Sequence, residues 1–123
     1  MELNDKVALV TGGASGLGQA TVEAFISKGA KVVILDINEQ NANEIIKKLG
    51  EENVLFISTN IMEEEPVVKA VTEIKDKFGS LHIAVNCAGT GYPGRILGKE
   101  SPHPLEAFKF IINLNLVGTF NVM

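Results

Sequence analysis

Four short runs of apolar residues alternate along the chain with longer segments in which apolar residues recur every three or four positions. The runs are KVALVT, KVVILD, NVLFIST and LHIAVNCAG, at residues 6–11, 31–36, 53–59 and 81–89, and the last of them runs into a loop. Apolar runs of this length are typical of strands that are buried on both faces. The spaced patterns predict amphipathic helices, one closed by Gly29, one closed by Gly50 and one over residues 63–78. Alternating strands and helices predict an α/β fold with a parallel sheet.

The last third of the chain is predicted to contain a long loop and a final helix. Glycines and prolines break any regular element between residues 90 and 104. The helix is predicted from Leu105, with apolar positions at Phe108, Ile111, Ile112, Leu116 and Phe120. Because crossovers between parallel strands are right-handed, the sheet is predicted to be doubly wound, a Rossmann fold with strand order 3-2-1-4. Residues 1–123 are predicted to form one domain, which stops after the fourth strand and part of the following helix.

Composition narrows the possible partners and compartments. A formal net charge of −4 gives no electrostatic reason to expect binding to nucleic acid or to a membrane surface. Cys87 is the single cysteine, so no intrachain disulfide is possible and a reducing compartment is favoured. We expect the cytoplasm or the mitochondrial matrix rather than secretion, because the strand pattern starts too early for a leader segment. His82 is expected to be structural, His103 to face solvent, and no metal site is predicted.

The segment TGGASGLG, residues 11–18, follows the first predicted strand and opens the first helix. In this position Gly12 permits a tight turn, Gly16 lets backbone approach a ligand and Gly18 lets the helix lie close to the sheet. The helix N-terminus offers N–H groups to a phosphate, and Ser15 is expected to cap the helix or to donate to that phosphate. A tight turn without a ligand is the alternative for glycines alone.

Two further features favour a dinucleotide. Asp36 ends the second strand, 18 residues after Gly18, where a carboxylate can accept the hydroxyls of an adenosine ribose. NCAG, at Asn86–Gly89, places small residues beside the point where the winding of the sheet reverses, which leaves room for flat rings. The chain lacks GxxxxGK[ST], which excludes a P-loop triphosphate site.

TGGASGLG, Asp36, NCAG and NLNLVGTFNV (Asn113–Val122) together resemble the N-terminal half of a short-chain dehydrogenase/reductase. The resemblance implies that the glycine loop holds a pyrophosphate, that Asp36 holds the adenosine ribose, and that residues 60–61 flank the adenine. Asn60 replaces the aspartate common there, and Cys87 is expected to pack against the cofactor rather than act as a nucleophile. The implied cofactor-binding residues are Gly12, Ser15, Gly16, Leu17, Gly18, Asp36, Asn60, Ile61, Asn86, Cys87, Ala88 and Gly89.

The resemblance also implies hydride transfer between a secondary alcohol, of the hydroxyacyl-CoA or hydroxysteroid type, and a nicotinamide cofactor. NAD is expected rather than NADP, because Asp36 would repel a 2′-phosphate. Asn115 matches the family's catalytic asparagine. The single tyrosine, Tyr92, is followed four residues later by Ile96, so the family's YxxxK pair is absent and we expect the chain alone to be inactive.

The family resemblance further implies a homo-oligomer, a tetramer for a full-length member, and the isolated chain is expected to dimerise or aggregate through its unpaired edge. Two alternatives stay open at this point. One is a non-catalytic NAD(H)-binding module, which a coding sequence that continues into a YxxxK motif would disfavour. The other, more remote, is an S-adenosylmethionine-dependent methyltransferase, whose sheet also carries a glycine loop and an acidic residue.

Overall fold

The computed structural model describes residues 2–123, so the first residue of the predicted domain lies outside it. Four strands and three helices alternate, followed by a helical segment in three parts. The elements are β1 (Val7–Thr11), α1 (Gly16–Ile26), β2 (Lys31–Asp36), α2 (Glu39–Leu49), β3 (Val54–Ser58), α3 (Glu64–Phe78), β4 (Ile83–Asn86), α4 (Leu105–Ile112), a π-helical segment (Asn113–Gly118) and α5 (Thr119–Val122). The predicted α/β architecture is confirmed.

The sheet is parallel throughout, and its order β3-β2-β1-β4 confirms the predicted topology. Thr11 at the end of β1 pairs with Leu35 of β2 and with Asn86 of β4, and Asp36 pairs with Ser58 of β3. The carboxyl ends of all four strands therefore meet at one edge. In a doubly wound sheet, ligands bind at this edge, where the winding reverses between β1 and β4.

Both faces of the sheet are buried by helices, as the apolar strands predict. Alternate side chains of a strand point to opposite faces. Val10 and Ile34 pack with Val22 of α1 and Ile45 of α2 on one face. On the other face, strand residues pack against α3 in a second cluster, formed by Val7, Leu9, Val33, Leu35, Ala70 and Ile74. The sheet is thus packed on both faces, and it positions the loops that follow the carboxyl ends of its strands.

The second half of the chain departs from the sequence-based expectations in two places. β4 spans Ile83–Asn86, so it begins two residues after the start of the apolar run at 81–89, and the run ends in a loop after Asn86 as predicted. The final helix is not a continuous α-helix, because a π-helical segment interrupts it at Asn113–Gly118. Such wide turns insert one extra residue into a helix and are common at functional sites.

Most of the apolar positions predicted for the final helix face outward. Phe108 and Phe120 are 57% and 78% exposed, and Ile112 and Leu116 are also exposed. Ile111 alone of the predicted set is half-buried. The predicted apolar positions are therefore present, but within the described residues most of them are not covered by other elements. No helix within residues 2–123 is long and apolar enough to cross a membrane.

The two histidines have structural contacts. The Nδ1 atom of His82 accepts a hydrogen bond from the backbone N–H of Val7 at 3.0 Å, which ties the start of β4 to β1. His103 does not simply face solvent as expected. Its half-buried ring packs edge-to-face on Tyr92, with the ring centroids 5.4 Å apart, and covers Gly94. This contact holds together the two ends of the loop over residues 90–104.

Candidate functional site

A cavity of about 650 Å³ lies across the carboxyl ends of the strands. The first turn of α1 and the loops that follow β2, β3 and β4 form its walls. A volume of this size is typical of cofactor and ligand sites. Its lining residues are Gly12, Ser15, Gly16, Leu17, Gly18, Leu35, Asp36, Ile37, Thr59, Asn60, Ile61, Met62, Cys87, Ala88, Gly89, Thr90, Phe110 and Leu114.

The glycine loop is built by close backbone contacts that only glycine allows. Gly12 has φ = +64°, and a Cβ atom there would lie 2.8 Å from the Cα of Ala88. A Cβ atom on Gly18 would overlap the carbonyl oxygen of Gly12. Gly18 therefore lets α1 sit directly on the loop, and Gly12 lets the loop after β1 touch the loop after β4. The backbone thereby forms a continuous floor for the centre of the cavity.

The N-terminus of α1 borders the cavity, and the backbone N–H groups of its first turn are available to a ligand. The first N–H groups of a helix have no partners within it, and they carry partial positive charge. Here the first turn contains no acidic side chain that would neutralise them. Ser15 occupies the N-cap position with the extended backbone that is usual there (φ = −160°), but its side chain makes no capping hydrogen bond, so the first of its two expected roles is not observed. Its exposed hydroxyl stays available to a ligand.

Asp36 is fixed at the cavity wall by the backbone. Its Oδ2 atom accepts from the N–H of Ala14 at 3.0 Å, and its Oδ1 atom accepts from the N–H of Asn38 at 3.0 Å. A carboxylate has about four acceptor positions, so each oxygen keeps capacity for another donor. Asp36 is also the one charged residue among the described residues that line the cavity. The site therefore carries a negative charge with no lysine or arginine beside it.

The loop after β3 forms the wall next to Asp36. The Oδ1 atom of Asn60 accepts from the N–H of Met62 at 3.1 Å, and its Nδ2 atom donates to the carboxylate of Glu63 at 2.6 Å. The amide of Asn60 is thus largely committed to folding its own loop. Ile61, only 4% exposed, presents its apolar side chain between this loop and Gly118.

Thr11 joins the end of β1 to the backbone that follows β4, beneath the cavity, a role that the sequence did not reveal. It is fully buried, and its Oγ1 atom accepts from the N–H groups of Cys87 and Ala88, both at 3.1 Å. The hydroxyl thereby fixes the backbone immediately after β4. Small residues such as Ala88 can line the cavity only if their backbone is held in place, so Thr11 is a positioning residue for that wall.

Replacing Thr11 by valine, which has nearly the same shape, should lower the free energy of unfolding by about 2 kcal/mol, because the N–H of Ala88 loses its acceptor inside the fold. Chemical denaturation of both proteins measures this change. Thr72→Val is the matched control, since Thr72 is exposed and its hydroxyl donates only to the carbonyl of Val68 in its own helix. An equal loss in both variants would contradict the positioning role of Thr11.

Asn115 lies in the π-helical segment and reaches across to the loop after β4. Its Oδ1 atom accepts from the N–H of Thr90 at 3.0 Å, and its Nδ2 atom donates to the carbonyl of Thr90 at 2.8 Å. Gly89 lies directly below, where a Cβ atom would be 3.0 Å from the same Oδ1. Asn115 itself does not line the cavity but holds the end of its wall.

The structure thus brings most of the predicted cofactor residues together around one cavity. Asn86 is the exception, because it is exposed at the edge of the sheet and does not line the cavity. Sequence reasoning missed several lining residues. Ile37, Thr59 and Met62 adjoin predicted residues in the chain and follow from that proximity. Phe110 and Leu114 come from the final helix, where no local sequence signal marks them.

Comparison with known proteins adds to this geometry. The family model described as short chain dehydrogenase matches residues 6–123. The chain belongs to the short-chain dehydrogenase family. This membership excludes the methyltransferase alternative, and it agrees with the resemblance carried by the glycine loop, NCAG and the final helix.

Individual members of the short-chain dehydrogenase family show how much of such a protein this chain represents. The chain is 44% identical over 123 residues to the 3-hydroxyacyl-CoA dehydrogenase type-2 of Drosophila melanogaster, covering 98% of this chain and 48% of that protein. It is 37% identical to the NAD-dependent glycerol dehydrogenase of Listeria innocua, covering 96% of this chain and 44% of that protein. The chain therefore spans about half the length of the curated relatives it matches.

A solved structure supports the fold. The crystal structure of a short chain dehydrogenase from Bacillus anthracis superposes with a TM-score of 0.89 at 24% sequence identity, covering 98% of this chain and 47% of that chain. At this identity the match concerns the fold alone. The family and its Rossmann fold imply binding of a nicotinamide nucleotide.

Proposed function

We propose that the chain binds NAD(H) in the cavity at the carboxyl ends of its strands, as the cofactor-binding half of an NAD-dependent oxidoreductase. The observation that carries the proposal is the combination of a free helix N-terminus over Gly12–Gly18 with one fixed carboxylate, Asp36, on the adjoining strand. The first binds a pyrophosphate and the second accepts the two hydroxyls of a ribose. A dinucleotide without a 2′-phosphate satisfies both.

The strand order gives the dinucleotide its direction. With the pyrophosphate over β1, one half of the ligand extends over β2 and β3, where Asp36 and Ile61 line the cavity. The other half extends over the end of β4, along Cys87–Gly89. The adenosine half belongs on the side of Asp36, because the ribose-binding carboxylate is there. The nicotinamide half then lies over the small residues that follow β4.

Residues at the mouth of the cavity support a ligand that carries flat rings. Leu17 is 83% exposed and Ile37 is 77% exposed, although both line the cavity. Large aliphatic side chains this exposed are suited to covering the faces of a bound ligand. Leu17 would cover the pyrophosphate and nicotinamide ribose, whereas Ile37 would cover the adenine. The side chain of Asn60 would keep its hydrogen bonds within the loop while the adenine contacts the neighbouring Ile61.

For the reaction, we propose hydride transfer between NAD and a secondary alcohol of the hydroxyacyl-CoA or hydroxysteroid type, of which the name of the Drosophila relative supports the hydroxyacyl-CoA type. When bound, the nicotinamide accepts or releases the hydride. The chain's own share is to hold the ring beside Cys87–Gly89 and to fix the adjacent loop through Asn115. We propose that the 123-residue chain alone does not turn over, because its one tyrosine belongs to no YxxxK pair.

Calorimetric titration of the chain with NADH, and then with NADPH at the same ionic strength, tests the proposal. We expect saturable binding of NADH and much weaker binding of NADPH. Absence of NADH binding to a chain that circular dichroism shows to be folded would overturn the proposed function. Binding of NADH without any turnover of alcohol substrates is also the behaviour expected of a non-catalytic NAD(H)-binding module, and addition of the remaining half of a relative would distinguish the two.

A further inference from the structure

A side chain of the last helix is tied to the cavity by an interaction that neither the glycine loop nor Asp36 involves. The Nδ2 atom of Asn121, in α5, donates to the carbonyl of Ile61 at 2.9 Å and to the carbonyl of Glu63 at 3.0 Å. An amide nitrogen has two hydrogens, so both donors of this half-buried side chain are used on one loop. The two acceptors lie two residues apart, so the amide bridges the turn.

The loop that Asn121 holds is the wall on the Asp36 side of the cavity. Asn60, Ile61 and Met62 all line the cavity. The loop folds on itself through the side chain of Asn60, but that local turn does not fix its position relative to the sheet. Gly118 brings the helix into contact, because a Cβ atom there would lie 2.9 Å from the side chain of Ile61.

We propose that Asn121 is a positioning residue for the adenine side of the site. Its two hydrogen bonds set the place of the 60–63 loop, and the loop in turn sets the distance between Ile61 and a base whose ribose is held by Asp36. The inference rests on the proposed NAD(H) function. It assigns to the final helix two separate clamps, because Asn115 holds the loop at Thr90 on the opposite side.

The clamps make different predictions for the two halves of a dinucleotide. Loss of the Asn121 amide releases the carbonyls of Ile61 and Glu63 and leaves the bonds between Asn115 and Thr90 intact. ADP-ribose, which keeps the adenosine and the pyrophosphate but lacks the nicotinamide ring, should therefore lose affinity, and the backbone at Thr90 should keep its protection from exchange. A side chain that acted only as general support for the fold would affect both sides together.

The test uses Asn121→Asp in the 123-residue chain, since this change keeps the shape and replaces the donor group by an acceptor that faces two carbonyl oxygens. We expect the dissociation constant of ADP-ribose to rise at least about tenfold, the worth of one or two lost hydrogen bonds. Hydrogen exchange of the amides of Met62 and Glu63 should become faster, and that of Thr90 should not change. Asn43→Asp, at an exposed position of α2, adds the same charge as a control.

Asn121→Ala serves as a second variant if the aspartate disturbs folding, because it removes both donors without adding charge. This variant should also lose affinity for ADP-ribose, but by less than Asn121→Asp. Unchanged affinity in a folded variant, or equal acceleration of exchange at Glu63 and Thr90, would overturn the positioning role. Failure of the unsubstituted chain to bind ADP-ribose would instead overturn the proposed function, so the two failures are distinguishable.

Discussion

Gly18→Ala should destabilise the fold more than any other addition of a single methyl group near the site. The new Cβ atom would overlap the carbonyl oxygen of Gly12, which is backbone held on its other side by contact with Ala88. Alanine gains about 1 kcal/mol of helix propensity over glycine. We nevertheless expect a net loss of about 3 kcal/mol of unfolding free energy, at the upper end of the cost of overpacking, because neither backbone segment can yield.

Thermal unfolding followed by circular dichroism measures this loss, as a fall in Tm of roughly 10 °C for a chain of this size. Gly91→Ala is the matched control, since Gly91 lies in the exposed loop and a Cβ atom there would have no neighbour within 4 Å. The control should stay within about 0.5 kcal/mol of the original chain. A Gly18 variant as stable as the Gly91 variant would show that α1 can move away from the loop and would contradict the close contact.

Asp36→Asn should remove most of the preference for NADH over NADPH. In the unchanged chain the carboxylate would face the 2′-phosphate without a neighbouring cation, a repulsion of several kcal/mol that corresponds to a preference of at least about 100-fold. The amide has the same shape but no charge, so the preference should fall to about tenfold or less. Calorimetric titration of both proteins with both cofactors gives the two ratios.

The ratio is the informative quantity because Asp36 also accepts hydrogen bonds from the backbone at Ala14 and Asn38. Loss of one of these hydrogen bonds would lower the affinity for both cofactors by the same factor, which cancels in the ratio. Asp76→Asn provides the control, since it removes the same charge from an exposed position on α3. A ratio that does not change in the Asp36 variant would show that the 2′ position lies elsewhere and would refute the orientation proposed for the dinucleotide.

Predictions from the sequence were correct where the bounds of an element depend on residues that are neighbours in the chain. The apolar runs predicted β1 to β3 within a residue, because a strand buried on both faces needs consecutive apolar side chains. For β4 they placed the start of the strand two residues too early. They also predicted a continuous final helix, whereas the wide turn at Asn113–Gly118 coincides with long-range contacts made by Asn115 and Gly118.

The sequence by itself determined the α/β class, the order of the strands, the place of the glycine loop and the position of Asp36 at a strand end. Only the tertiary structure decided that the Ser15 side chain makes no capping hydrogen bond, that Thr11 holds a backbone 77 residues away at Ala88, and that Asn121 holds Ile61 across 60 residues. The physical reason is the range of the interactions. Strands, turns and crossovers follow from hydrophobic period and local backbone sterics, whereas the clamps exist only after packing has brought distant loops within hydrogen-bonding distance.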